Sequence, residues 1–135
     1  MPDKESLVPK DWFQRAEADL NAVEVLLQHG GDPQVAGSLL QQALEKYLKG
    51  YLLSKGWKLK KVHDLPLLLD EAVKYNPQLE GFRTTCEEIT AYYFRGRYPF
   101  FTLGLNRKDV ETSLKQVKEL IQEILKGVKQ WPSGQ

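Results

Sequence analysis

Near the carboxyl end, Val110, Leu114, Val117, Ile121, Ile124 and Val128 follow one another at alternating steps of four and three residues. That period places six apolar side chains on one helical face, which must be buried against other structure. Asn106 stands where such a helix needs its cap. Upstream segments repeat the pattern. Trp12, Ala16, Leu20, Val23 and Leu27 form one stripe, ended by Gly30 and Gly31. Asp32 and Pro33 open a second helix, whose stripe of Ala36, Leu40, Ala43, Leu44, Tyr47, Leu48 and Tyr51 predicts a run to about Lys55 and a stop at Gly56. Asp64 caps a short third helix with Leu65, Leu68, Leu69, Ala72 and Val73 inward. Leu79, Phe82, Cys86, Ile89 and Tyr93 mark a fourth.

No two-residue alternation of β-branched residues competes with these stripes. The expected fold is therefore all-α, an up-and-down antiparallel bundle of four to five helices. At 135 residues with 41% hydrophobic and 27% charged positions, the chain suits one core. A single domain over 1–135 is expected, with its core at about 10–128 and loose ends at 1–8 and 131–135. A formal net charge of +1 gives no global argument for nucleic acid or membrane. One cysteine, no secretion-signal pattern and apolar runs too short to span a bilayer predict a cytoplasmic protein away from the membrane.

Cys86, His29 and His63 are too few for a cysteine-rich zinc site, so no metal is expected, and no cofactor. Neither a phosphate-cradling glycine loop nor a serine nucleophile elbow is present. What remains is basic and aromatic. Arg95, Arg97 and Tyr98, in AYYFRGRYPF, combine guanidinium groups suited to phosphate with a ring suited to stacking. Gln42, Glu45, Lys46 and Lys49 recur at three and four residues, which predicts a polar stripe with Glu45 supporting Lys49 on a solvated face. His63 follows the lysine-rich connector KGWKLKKVH, the densest basic stretch of the chain, expected to be an exposed loop.

Four motifs in order, AEADL (16–20), QQALEKYLKG (41–50), VHDL (62–65) and RGRYP (95–99), resemble a stand-alone prokaryotic HEPN domain over about residues 10–128. The resemblance implies a homodimer with a cleft at its interface, often encoded beside a minimal nucleotidyltransferase in a toxin–antitoxin pair. HEPN ribonucleases carry an arginine and then, after four to six intervening residues, a histidine. Here Arg95 and Arg97 lead only to Gly96, Tyr98, Pro99, Phe100, Phe101, Thr102, Leu103 and Gly104, so that motif is absent. Arg97, Tyr98 and Pro99 instead match the R-Y-P of a subgroup that resembles nucleotide-binding members, with Phe100 where an acidic residue often follows.

The resulting expectation is a non-ribonucleolytic homodimer that binds a nucleotide or RNA phosphate. Arg95 and Arg97 would hold phosphate, Tyr98 would stack, and His63, Gln42, Lys46 and Lys49 would line the wall. The first alternative is a ribonuclease with a rearranged site, using His63 as base and Arg97 as the cationic group. The second is a purely structural bundle in which Tyr98 and Pro99 end a helix and the arginines pair with Glu87 or Glu88. Trp57, Tyr92 and Phe101 read as exposed aromatics that would favour dimerisation.

Overall fold

The computed structural model describes residues 5–97 and 105–128. It contains α1 (Pro9–Gln28), α2 (Pro33–Ser54), α3 (Leu65–Val73), a 3₁₀ turn (Pro77–Phe82), α4 (Arg83–Arg97) and α5 (Arg107–Lys126). Among the described residues there is no strand, and no helix is long and apolar enough to cross a membrane.

The local signals act where the chain places them. Asp32 accepts from the Gln34 amide at 2.8 Å with Pro33 in the first turn, and Asp64 accepts from the Leu67 amide at 3.3 Å. Asn106 and Asp109 form a reciprocal capping box at the start of α5. Gly30 and Gly56, at φ 72° and 91°, take the left-handed conformation just after α1 and α2. The fourth helix begins later than its stripe predicts: Asn76 caps a tighter 3₁₀ turn carrying buried Leu79, and α-helical geometry starts only at Arg83.

Contacts between distant residues set the directions. Phe13 lies on Gly50 and Asp19 pairs with Lys46, so α1 and α2 are antiparallel. Leu105 lies near Gly37 and Gly127 near Tyr51, which makes α5 parallel to α2. Thr85 bonds Gln116 and Tyr92 bonds Ser113, so α4 runs against both. α2 touches α1, α3, α4 and α5 and is the central helix.

That centrality corrects several expectations. α2 is buried around most of its circumference, Gln41, Lys49 and Gly50 included. A Cβ on Gly50 would stand 2.7 Å from the Phe13 ring, so glycine permits the close α1–α2 crossing. Phe13, which the predicted α1 stripe omits, is fully buried, whereas Trp12 is half-buried. Trp57 and Tyr92 are 9% and 8% exposed and lie in the chain's own core, so they offer no apolar dimer face; Phe101 lies outside the described residues. The Tyr92 hydroxyl meets Ser113 at 2.7 Å, which explains a buried serine in α5.

Candidate functional site

The polar centre of the molecule is Glu45. Gln41, Glu45 and Lys49 stand one turn apart along α2. Glu45 Oε1 accepts from Gln41 Nε2 at 3.3 Å; its Oε2 accepts from Lys49 Nζ at 3.1 Å and lies 2.7 Å from His63 Nδ1. Gln41 Nε2 also donates to the His63 carbonyl at 3.1 Å, tying the connector to the helix. Lys49 is 1% exposed, and its ammonium sits 5.5 Å from the centroid of the Trp12 ring. A carboxylate and an aromatic face together compensate the buried cation. The solvated Glu45–Lys49 face expected from spacing is thus an interior pair, because α2 has neighbours on several sides.

His63 faces the other way. Its side chain is 73% exposed while Nδ1 is engaged by Glu45, so the second ring nitrogen is directed to the open side. A carboxylate that fixes one imidazole nitrogen sets the tautomer and orientation of the other.

A cleft of about 500 Å³ opens here between the start of α1, the middle of α2 and His63. Three carboxylates, Glu5, Asp11 and Glu45, and three cations, Arg15, Lys46 and Lys49, line it with Ser6, Trp12 and His63. Most charges are already committed. Ser6 donates to Asp11 at 2.7 Å, Lys46 pairs with Asp19, and Lys49 pairs with Glu45. The Trp12 indole donates to the Ser6 carbonyl at 2.8 Å, which fixes its ring. Arg15 is exposed and pairs with no carboxylate among the described residues.

The residues singled out from sequence therefore separate. His63, Lys46 and Lys49 meet in the cleft; Gln42 is half-buried and does not line it, and Gln41, one position earlier, makes the bonds. The side chains of Arg95 and Arg97, and the whole of Tyr98, lie outside the described residues. The backbone path of α4 is informative nonetheless. Tyr92 packs beside Gly37 and α4 runs against α2, so the last turn of α4 lies past Gly37, away from Glu45. At a rise of ~1.5 Å per residue, roughly 20 Å of helix axis separates Arg97 from the level of Glu45. Within one chain the arginine turn and the His63 cleft are distinct places, because antiparallel packing sends them to different levels of α2.

Trp12, Arg15 and Gln41 were not legible as site residues. Trp12 fits the apolar stripe of α1, and nothing in sequence brings α1 to His63. The available signal was Glu45 and Lys49 standing among leucines in the most apolar long helix. Other chemistry is weak: burial pushes the Cys86 thiol up to about 12, which removes it as a nucleophile. Among the described residues no cluster of three or more His, Cys, Asp or Glu could hold a metal ion.

Comparison with known proteins identifies the architecture. The model of the HEPN domain matches residues 9–128. This chain belongs to the HEPN family. The crystal structure of an archaeal HEPN homologue matches 90% of this chain and 98% of its own, with a TM-score of 0.73 at 23% identity, so the HEPN fold is shared. No curated protein matches the chain.

Proposed function

We propose that this HEPN protein is a homodimeric module that binds a nucleotide or RNA phosphate, working with a minimal nucleotidyltransferase in a toxin–antitoxin-type pair. The observation that carries the binding reading is the convergence in one cleft of a carboxylate-held imidazole, a fixed indole and a guanidinium with no carboxylate partner among the described residues: His63, Trp12 and Arg15. An indole face suits a base, and a guanidinium suits phosphate. Lys46 and Lys49 position the wall rather than meet the ligand, since their ammoniums are engaged by Asp19 and Glu45. Arg95, Arg97 and Tyr98 would form a second grip at the end of α4, which a second copy of the chain could bring to the cleft. The nucleotidyltransferase rests on the motif resemblance. Its test is co-purification on co-expression, and light scattering tests for twice the 15.5 kDa chain mass.

Calorimetric titration with a panel of nucleoside monophosphates tests the cleft. Binding that weakens about tenfold or more in both Arg15→Ala and His63→Ala is expected, the loss of a charge-assisted contact costing roughly 1.5–3 kcal/mol. Wild-type protein that binds none of the panel, and no RNA, overturns the reading.

The Glu45–His63 pair also favours a second reading, metal-independent RNA cleavage. There His63 would take the 2′-hydroxyl proton as the 2′-oxygen attacks phosphorus, Arg15, or Arg97 of a second copy, would stabilise the charged phosphorane, and the P–O5′ bond would break as the 5′-oxygen takes a proton from the imidazolium or from water. Cleavage of mixed RNA in EDTA that His63→Ala abolishes would establish it. An inert wild-type protein leaves the binding module.

A further inference from the structure

The cleft has as many carboxylates as cations and so exerts little net pull on a polyanion. The connector before it differs. Residues 55–63 contain Lys55, Lys58, Lys60 and Lys61 and no acid, and the next carboxylate, Asp64, is spent capping α3. Lys55 is turned away, donating to the Gly127 carbonyl at 2.7 Å and lying over Tyr51. Lys58, Lys60 and Lys61 are exposed and make no ion pair among the described residues.

This connector is a fixed strap rather than a loose loop. Trp57 is buried with its amide on the Leu52 carbonyl at 3.0 Å, Leu59 and Val62 pack against the core, and His63 is held by Gln41 and Glu45. The strap leaves α2 at Leu52 and rejoins it at Gln41, a span of about 16 Å at ~1.5 Å per helical residue. The six steps from Trp57 to His63 reach at most about 20–22 Å when extended. The chain is therefore largely extended, with Trp57 in, Lys58 out, Leu59 in and Lys60 out, until the Val62 amide donates to the Lys60 carbonyl at 2.9 Å in a tight turn that leaves Lys61 outward and Val62 inward.

From this geometry we infer that the strap is a phosphate track for single-stranded RNA, whose phosphates lie along Lys58, Lys60 and Lys61 as the strand enters the His63 cleft. The inference deepens the reading of the cleft as a nucleotide site and specifies its ligand: a strand, not a free mononucleotide. Lys58 and Lys60, two apart on the extended part of the strap, stand about 6–7 Å from one another, a spacing matched to consecutive phosphates of an extended strand, and Lys61 adds a third cation beside Lys60 at the tight turn. Because the strap is pinned at both ends, little backbone order is lost on binding.

The test compares wild type with the triple variant Lys58→Gln, Lys60→Gln, Lys61→Gln, all at exposed positions. The probes are a labelled 2′-O-methyl oligouridylate, which resists cleavage, and uridine monophosphate, each titrated over a range of salt. Expected is an oligonucleotide affinity lower by about tenfold or more, with the log–log salt slope shallower by about 2, as three contacts at ~0.7 each require; mononucleotide affinity stays unchanged. An unchanged oligonucleotide affinity and slope overturns the track, even if Arg15→Ala still abolishes mononucleotide binding. Equal weakening of both probes also overturns it, since the strap would then only shape the cleft. If wild type binds the oligonucleotide alone and the triple variant loses it, the track stands and the mononucleotide cleft falls.

Discussion

Two charged residues each gather several polar groups, Arg83 near the surface and Glu45 against the buried Lys49, and they do so in different ways. Arg83 gathers α3, the 3₁₀ turn and α4: it meets Asp70 at 2.6 Å, grips both oxygens of Glu80 at 2.7 and 2.8 Å, and donates to the Pro66 carbonyl at 3.2 Å. Glu45 gathers α2 and the connector, but one of its partners, His63, keeps a nitrogen directed outward. Arg83 meets protein groups from two other elements and does not line the cleft. The Glu45 centre instead combines a buried cation with an exposed, oriented imidazole at a cleft mouth. The first arrangement joins elements; the second joins elements and also presents a reactive group.

The comparison breaks most sharply at Glu45. Replacing it by alanine strands Lys49, a cation 1% exposed, and a loss of about 3–5 kcal/mol is expected in urea unfolding. The double variant Glu45→Ala, Lys49→Met should recover much of that loss. A single variant as stable as wild type would mean that Lys49 needs no counter-charge. The more solvent-exposed Arg83 centre should cost less, about 1 kcal/mol for Arg83→Met.

That second variant also alters the pH profile. The hydrogen bond from Arg83 holds the Glu80 carboxyl below its ordinary 4.5, with the guanidinium charge adding to the effect. A carboxyl depressed in the folded state contributes stability above its unfolded value that is lost as pH falls through the folded one. Melting temperature should therefore drop below about pH 4.5 in wild type, and that acid limb should be shallower in Arg83→Met. Identical limbs would remove the pair as its source.

Smallest in stability is His63→Gln, expected within about 0.5 kcal/mol because the ring is exposed. Ligand binding should nonetheless fall in that variant. A large stability loss with binding intact would make His63 a structural tie, and the two centres would then be alike.

The helices were legible because their causes are local. Caps at Asp32, Asp64 and Asn106, stops at Gly30 and Gly56, and apolar steps of three and four each depend on residues within a turn or two. The site was only half legible. Sequence isolates His63 and the Glu45–Lys49 spacing, yet not that Gln41 rather than Gln42 bonds the connector, which depends on how α2 is rotated in the bundle.

What the sequence alone determines is thus the all-α class, the helix limits to within a few residues, the absence of the arginine–histidine ribonuclease motif and the basic character of the connector. Tertiary structure decides the rest. The Trp12–Lys49, Arg15 and His63–Glu45 neighbourhood joins positions far apart in the chain, and the burial of Lys49 follows from α2 lying at the centre. Periodicity records which face of a helix is apolar, but the neighbour that covers it, and the polar groups brought along with that neighbour, are set only when the whole chain packs.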